Sequence, residues 1–163
     1  GGFKGWANGG NKVATGENSI TPASFKTKLN KKYFASFSEV QKAQKGKGQQ
    51  CLIDARPAAF FTGDKKHAKA RIPGRLANAR NLQEGNLIDD SFKMKPSSAI
   101  KSQFGGLDGV EQYKGYISYC NTGHWAATVW FGLSEIAQIP NVKMYDGGMT
   151  HWTSNPKRKV DLG

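Results

Sequence analysis

Apolar residues fall into short clusters along the chain, and the clusters are of two kinds. Compact apolar runs at residues 51–53, 115–119 and 142–145 have the length and density of strands buried on both faces. Between them, apolar positions recur at helical spacing. Phe37, Val40 and Ala43 lie on one face behind Ser36 and Glu39, whose S-x-x-E spacing is a capping box, so a helix is predicted over 36–45 with Gly46 and Gly48 ending it. Ala126, Val129, Trp130, Leu133 and Ala137 predict a helix over 125–137 that stops at Ile139-Pro140. Shorter helices are expected at 58–61 and at 97–104, before the Gly105-Gly106 break. The stretch up to Arg71 reads as a surface loop, Ile72-Pro73-Gly74 as a turn into a short strand at 76–79, and 82–90 as a polar connection. Strands that alternate with helices predict an α/β fold with a central parallel sheet flanked by helices. Residues 1–18 are Gly-rich with neither period and read as a linker, leaving 19–163 as one folded domain.

Composition narrows this picture. A chain of 163 residues suits one domain with a proper core. The net charge of +12 implies attraction to anions, but lysines are spread over 26–47, 65–80 and 157–159 without a nucleic-acid motif, so the charge reads as solvated surface and nucleic acid is not an expected partner. Two cysteines, Cys51 and Cys120, with no Cys-x-x-Cys or His/Cys spacing, indicate neither a disulfide framework nor a metal, and no cofactor is expected. No apolar run approaches the roughly 20 residues needed to cross a bilayer, so no membrane partner is expected.

Chemistry is concentrated at Cys120. It ends the apolar run 115–119 and opens the turn Asn121-Thr122-Gly123-His124 before a helix-like stretch at Trp125. At a strand-to-helix turn, unpaired backbone N–H groups favour an anion and therefore a nucleophilic thiolate. The competing reading of any cysteine is a small buried hydrophobe. Cys51, inside a strand, fits that second description.

Cys120-Asn121-Thr122-Gly123-His124-Trp125, between a strand and a helix, resembles the active-site loop of the rhodanese family of sulfurtransferases. Three other segments agree in order: Leu52-Ile53-Asp54-Ala55-Arg56-Pro57 is similar to the family's strand ending in Asp-x-Arg, Arg71-Ile72-Pro73-Gly74 to its His-Ile-Pro-Gly turn, and Tyr145-Asp146-Gly147-Gly148 with Trp152 to its closing motif. The resemblance implies a rhodanese-like fold. It also implies that Cys120 takes a sulfane sulfur from a small anionic donor such as thiosulfate, holds it as a persulfide and passes it to cyanide or a thiol. The loop residues Asn121, Thr122, Gly123, His124 and Trp125 would bind substrate, and Asp54 and Arg56 would hold neighbouring loops together.

Departures from the family pattern bear on that reading. Asn121 and Thr122 stand where many rhodaneses carry a cation, so anion binding would rest on backbone N–H groups, on His124 or on charge from outside the loop. His124 is equally readable as a solvated side chain, and Trp125 as either pocket wall or helix core. His67 and His151 lack a visible constellation; Arg75 and Arg80 are outside candidates for anion contact. A phosphatase would need an arginine where Ala126 stands, which argues against that class. The other alternative is a rhodanese-like sulfur-relay or binding module acting on a partner protein. Finally, Gly1-Gly2 and Trp6 repeat the spacing of Gly147-Gly148 and Trp152, which predicts that the first 12 or so residues are the tail of a preceding rhodanese domain in a tandem protein. Resemblance to bacterial tandem sulfurtransferases, which often carry export signals, favours a periplasmic over a cytoplasmic location.

Overall fold

Four parallel strands, in the order β2-β1-β3-β4, form the centre of the molecule: β1 Gln50–Asp54, β2 Ala79–Asn81, β3 Gly115–Tyr119 and β4 Val142–Tyr145. The computed structural model describes all of residues 1–163. Helices α1 Gly2–Asn8, α2 Phe37–Gln44, α3 Ala58–Thr62, α4 Ser97–Gly105, α5 His124–Phe131 and α6 Gly148–Ser154 complete the fold. None of these helices is long and apolar enough to cross a membrane. The α/β class and the parallel sheet are those the apolar pattern predicts.

Because side chains alternate across a strand, β1 and β3 feed two separate cores. Cys51 and Ile53 from β1 and Tyr116 from β3 join Ile100, Phe104, Val129 and Leu133, from α4 and the chain around α5, on one face. Leu52, Ile117 and Tyr119 join Val40, Ala43, Met149 and Trp152, from α2 and α6, on the other. Burial on both faces is what makes these strands read as continuous apolar runs. Register pairs Asp54 with Tyr119 and Tyr119 with Tyr145, so β1, β3 and β4 all end at one edge, and the chain reverses there into the loop that holds Cys120.

Helix α2 begins with the capping box read from the sequence: Ser36 Oγ accepts the Glu39 N–H at 3.3 Å and the Glu39 carboxylate accepts the Ser36 N–H at 2.8 Å. The same carboxylate accepts from Lys143 Nζ at 2.6 Å and ties α2 to β4. Partial burial works against the Glu39 charge, but the Lys143 and Ser36 contacts outweigh it and bring its pKa down to about 2.

Several boundaries differ from the sequence expectation. Residues 1–18 contain a helix, α1, that buries none of its residues; its exposed Phe3 and Trp6 are a single i, i+3 pair, too few to mark a period. The short strand lies at 79–81 rather than 76–79, because Leu76 is fully buried in the turn and pairing with β1 starts only at Ala79. The helix expected over 125–137 is α5 followed by a π turn, Gly132–Ile136, in which the Ala137 N–H reaches back to the Gly132 carbonyl at 2.8 Å. A side chain at Gly132 would come within 2.8 Å of Met94, so close packing accompanies the change of helical register.

The Glu39 contacts predict a specific pH dependence. A carboxylate with a depressed folded pKa contributes stability that is complete above its unfolded value and lost as pH falls through the folded value. Denaturant titrations should therefore show Glu39→Gln less stable than the parent by up to about 1 kcal/mol above pH 5, as expected for a half-exposed pair. The two curves should converge as pH falls from 4.5 towards 2.

Candidate active site

A buried ion pair organises the strand ends around Cys120. Arg56 grips Asp54 through Nε at 2.8 Å and Nη2 at 2.6 Å, and both side chains are buried. Burial opposes the Arg56 charge, yet the Asp54 hydrogen bonds and charge overcome it and hold the guanidinium above its ordinary pKa. From there Arg56 Nη2 donates to the Gly74 carbonyl at 2.9 Å and Nη1 to Asn121 Oδ1 at 3.4 Å. One side chain thus joins β1, the Ile-Pro-Gly turn and the loop after β3. Tyr119, wholly buried beneath it, accepts the Leu76 N–H at 3.2 Å, and burial together with Asp54 pushes its phenol well above 10.

The loop itself is held from behind by α6. The Met149 N–H donates to the Cys120 carbonyl at 2.8 Å, and the Thr150 N–H and hydroxyl donate to the Asn121 carbonyl at 3.2 and 3.0 Å. This approach explains the second glycine of the Asp-Gly-Gly segment. Gly148 has φ +53°, and a Cβ there would lie 2.5 Å from the Cys120 carbonyl oxygen and 2.6 Å from that of Asn121. With both carbonyls turned to α6, the loop presents N–H groups on its other side, and the Gly123 N–H donates to Cys120 Sγ at 3.1 Å. Gly123 is the N-cap of α5 and has φ +95°, a conformation open to glycine.

Above the thiol lies a pocket of about 260 Å³ lined by Cys120, Asn121, Thr122, His124, Trp125 and His67. Cys120 itself is 1% exposed and forms the floor. Thr122 and His124 are exposed at the rim, with Thr122 Oγ1 and His124 Nδ1 3.4 Å apart. Trp125 serves both readings made from the sequence, lining the pocket while packing against the first core and edge-on to Phe60 at 5.9 Å. Asn121 is buried, and its Nδ2 has no hydrogen-bond partner.

Cys51 is buried in β1, where burial pushes its thiol up to about 11, and it does not line the pocket. Arg75 and Arg80 are not pocket residues: Arg75 donates to the Phe61 carbonyl and stacks over that ring, while Arg80 pairs with Asp108. Arg71 holds the end of α6 through the Thr153 carbonyl. His151 bonds Tyr145 at 2.6 Å, away from the pocket. His67 is the pocket residue that the sequence reading passed over; it arrives through the folding of the loop after α3, with no local period to mark it.

The rhodanese-like domain model matches residues 36–155, the whole span from the capping box to the end of α6. The chain belongs to the rhodanese family. It is 28% identical to a putative thiosulfate sulfurtransferase of Synechococcus elongatus, covering 95% of this chain and 49% of that protein. It is also 28% identical to the 3-mercaptopyruvate sulfurtransferase of Escherichia coli K12, covering 99% of this chain and 56% of that protein. The chain therefore spans about half the length of these curated relatives. Among solved structures, an EanB variant in complex with ergothioneine superposes with a TM-score of 0.81 at 17% identity, covering 99% of this chain and 40% of that one. Tum1 of Saccharomyces cerevisiae superposes at 0.64 and 23% identity, covering 80% and 47%. Both share the rhodanese-like fold.

Gly148→Ala should show how far the loop depends on α6. Positive φ together with contacts near 2.5 Å to two carbonyls predicts a loss of about 2–3 kcal/mol in denaturant titration. An unchanged unfolding midpoint would mean that α6 does not hold the loop in place.

Proposed function

We propose that this rhodanese domain is a sulfurtransferase that carries sulfur as a persulfide on Cys120. The observation that carries the reading is the thiol at the floor of the pocket with a loop N–H already directed at its sulfur. An N–H so placed stabilises a thiolate, and then the persulfide that replaces it, as fixed dipoles stabilise an anion. With thiosulfate as donor, the Cys120 thiolate attacks the sulfane sulfur, a new S–S bond forms, the donor's S–S bond breaks, and sulfite leaves with the electron pair. Cyanide or a thiolate then attacks the outer sulfur and the Cys120 thiolate is released. Charge balances in both halves and neither requires an outside oxidant. A 3-mercaptopyruvate donor fits the same cycle, with pyruvate leaving and the thiol proton transferred to its methyl carbon.

Residues 1–18 are, in this proposal, the tail of a preceding rhodanese unit and the linker from it. Support comes from a structural repeat. Gly2 and Gly148 have φ of 52° and 53°, each opens a seven-residue helix, and each helix carries a tryptophan at the same place. Trp6 Nε1 donates to the Lys12 carbonyl at 2.9 Å, as Trp152 Nε1 does to that of Lys159 at 2.9 Å. Yet Trp152 is 3% exposed and Trp6 56%. In a chain carrying that unit upstream, Trp6 would be shielded from acrylamide quenching; equal quenching would contradict the assignment.

Mass spectrometry of the native chain after thiosulfate treatment tests the sulfur-carrier role. One added sulfur atom is expected on the peptide containing Cys120 and none in Cys120→Ser. Sulfur gained on Cys51 instead, or on neither, would contradict it.

A further inference from the structure

One wall of the pocket above Cys120 comes from outside the loop. His67 stands on the segment between α3 and the Ile-Pro-Gly turn, half-buried, facing the same cavity as the thiol. Its ring is oriented by its own loop: Nδ1 accepts the Lys69 N–H at 3.2 Å. A ring nitrogen that accepts a hydrogen bond carries no hydrogen, so the hydrogen of the neutral imidazole lies on Nε2, which makes that atom a donor.

Of the nearby cations, Lys65 and Lys69 flank His67 in sequence but do not line the pocket, and the others are engaged elsewhere. Lys66 Nζ donates to the Ala70 carbonyl at 2.8 Å, Arg71 to Thr153 and Pro156, Arg75 to Phe61, and Arg56 to Asp54 and Gly74. None of these four lines the pocket, and neither does any carboxylate. The loop offers Asn121 and Thr122 where a cation would neutralise a bound anion. What remains to meet an anion is backbone N–H, His124 at the rim and the imidazole of His67.

We infer that His67 is a substrate-binding residue, whose Nε2–H donates to a sulfonate or carboxylate oxygen of the anionic sulfur donor while the donor's sulfur faces Cys120. This rests on the sulfurtransferase reading for its role but not for its test. Recognition is then by a hydrogen bond from a neutral group to a charged acceptor, rather than by a guanidinium fork. A site of this kind accepts an oxyanion head without requiring the planar two-point match that selects carboxylate over other anions.

Sulfate is an inert probe of such a site. Its protection of Cys120 against iodoacetamide, at constant ionic strength, reports anion occupancy whether or not sulfur is transferred. His67→Phe should raise the sulfate concentration for half-protection about tenfold, the loss expected for one hydrogen bond to a charged group. The thiosulfate concentration for half-loading of sulfur should rise with it. Protection is read against each variant's own alkylation rate without sulfate, and His67→Gln, whose amide restores an N–H donor, should recover much of it. Half-protection in His67→Phe within twofold of the parent, or no protection by sulfate in the parent, would overturn the inference, as would a loss that His67→Gln leaves untouched. A parent chain that is protected by sulfate but never gains sulfur from any donor would instead overturn the sulfurtransferase reading and leave the anion contact standing.

Discussion

The buried Asp54–Arg56 pair is the constraint on which the site depends. An ion pair taken out of water contributes little net stability compared with apolar packing of the same volume, and removing one partner is costly because the other is stranded. What the pair supplies here is position. Its guanidinium has spare donors after satisfying Asp54, and they go to the Gly74 carbonyl and to Asn121, so the end of β1, the turn before β2 and the loop after β3 share one rigid point. The sheet brings the strand ends to one edge; the pair converts that edge into a defined cavity.

On this foundation the loop is oriented by hydrogen bonds of opposite polarity on its two sides. Helix α6 takes up the carbonyls of Cys120 and Asn121, and the opposite side directs the Gly123 N–H at the sulfur. Two positive-φ glycines make this possible for different reasons: Gly148 because the helix must approach within contact of two carbonyls, Gly123 because the chain must turn sharply into α5. The resulting pocket holds that N–H at its thiol and has no lysine, arginine or carboxylate among its lining residues. Asn121 and Thr122 from the loop and His67 from the segment after α3 line it together.

Local chemistry made most of this legible beforehand. Strands β1 and β3 are buried on both faces and therefore appear as dense apolar runs, and the capping box of α2 is a contact between residues three apart. The role of Arg56 followed from motif resemblance, since its partners at Gly74 and Asn121 are distant in sequence. Helix α1 was hidden because an exposed helix has no buried face to write into the sequence. The π turn after α5 was hidden because apolar spacing records which residues are buried, not which carbonyl each N–H reaches. His67 was hidden for a third reason. Its place in the pocket is set by how a polar loop folds over the sheet edge, and nothing among its neighbours in sequence marks that destination.

The central claim is that this arrangement makes Cys120, and not the packed Cys51, the atom that holds transferred sulfur. It is tested most directly by stoichiometry in a single turnover: load the native chain with thiosulfate, remove the excess, add cyanide and count the thiocyanate released. The account predicts one thiocyanate per chain, unchanged in Cys51→Ser and absent in Cys120→Ser. Release that survives the loss of Cys120, or disappears with Cys51 alone, would contradict it.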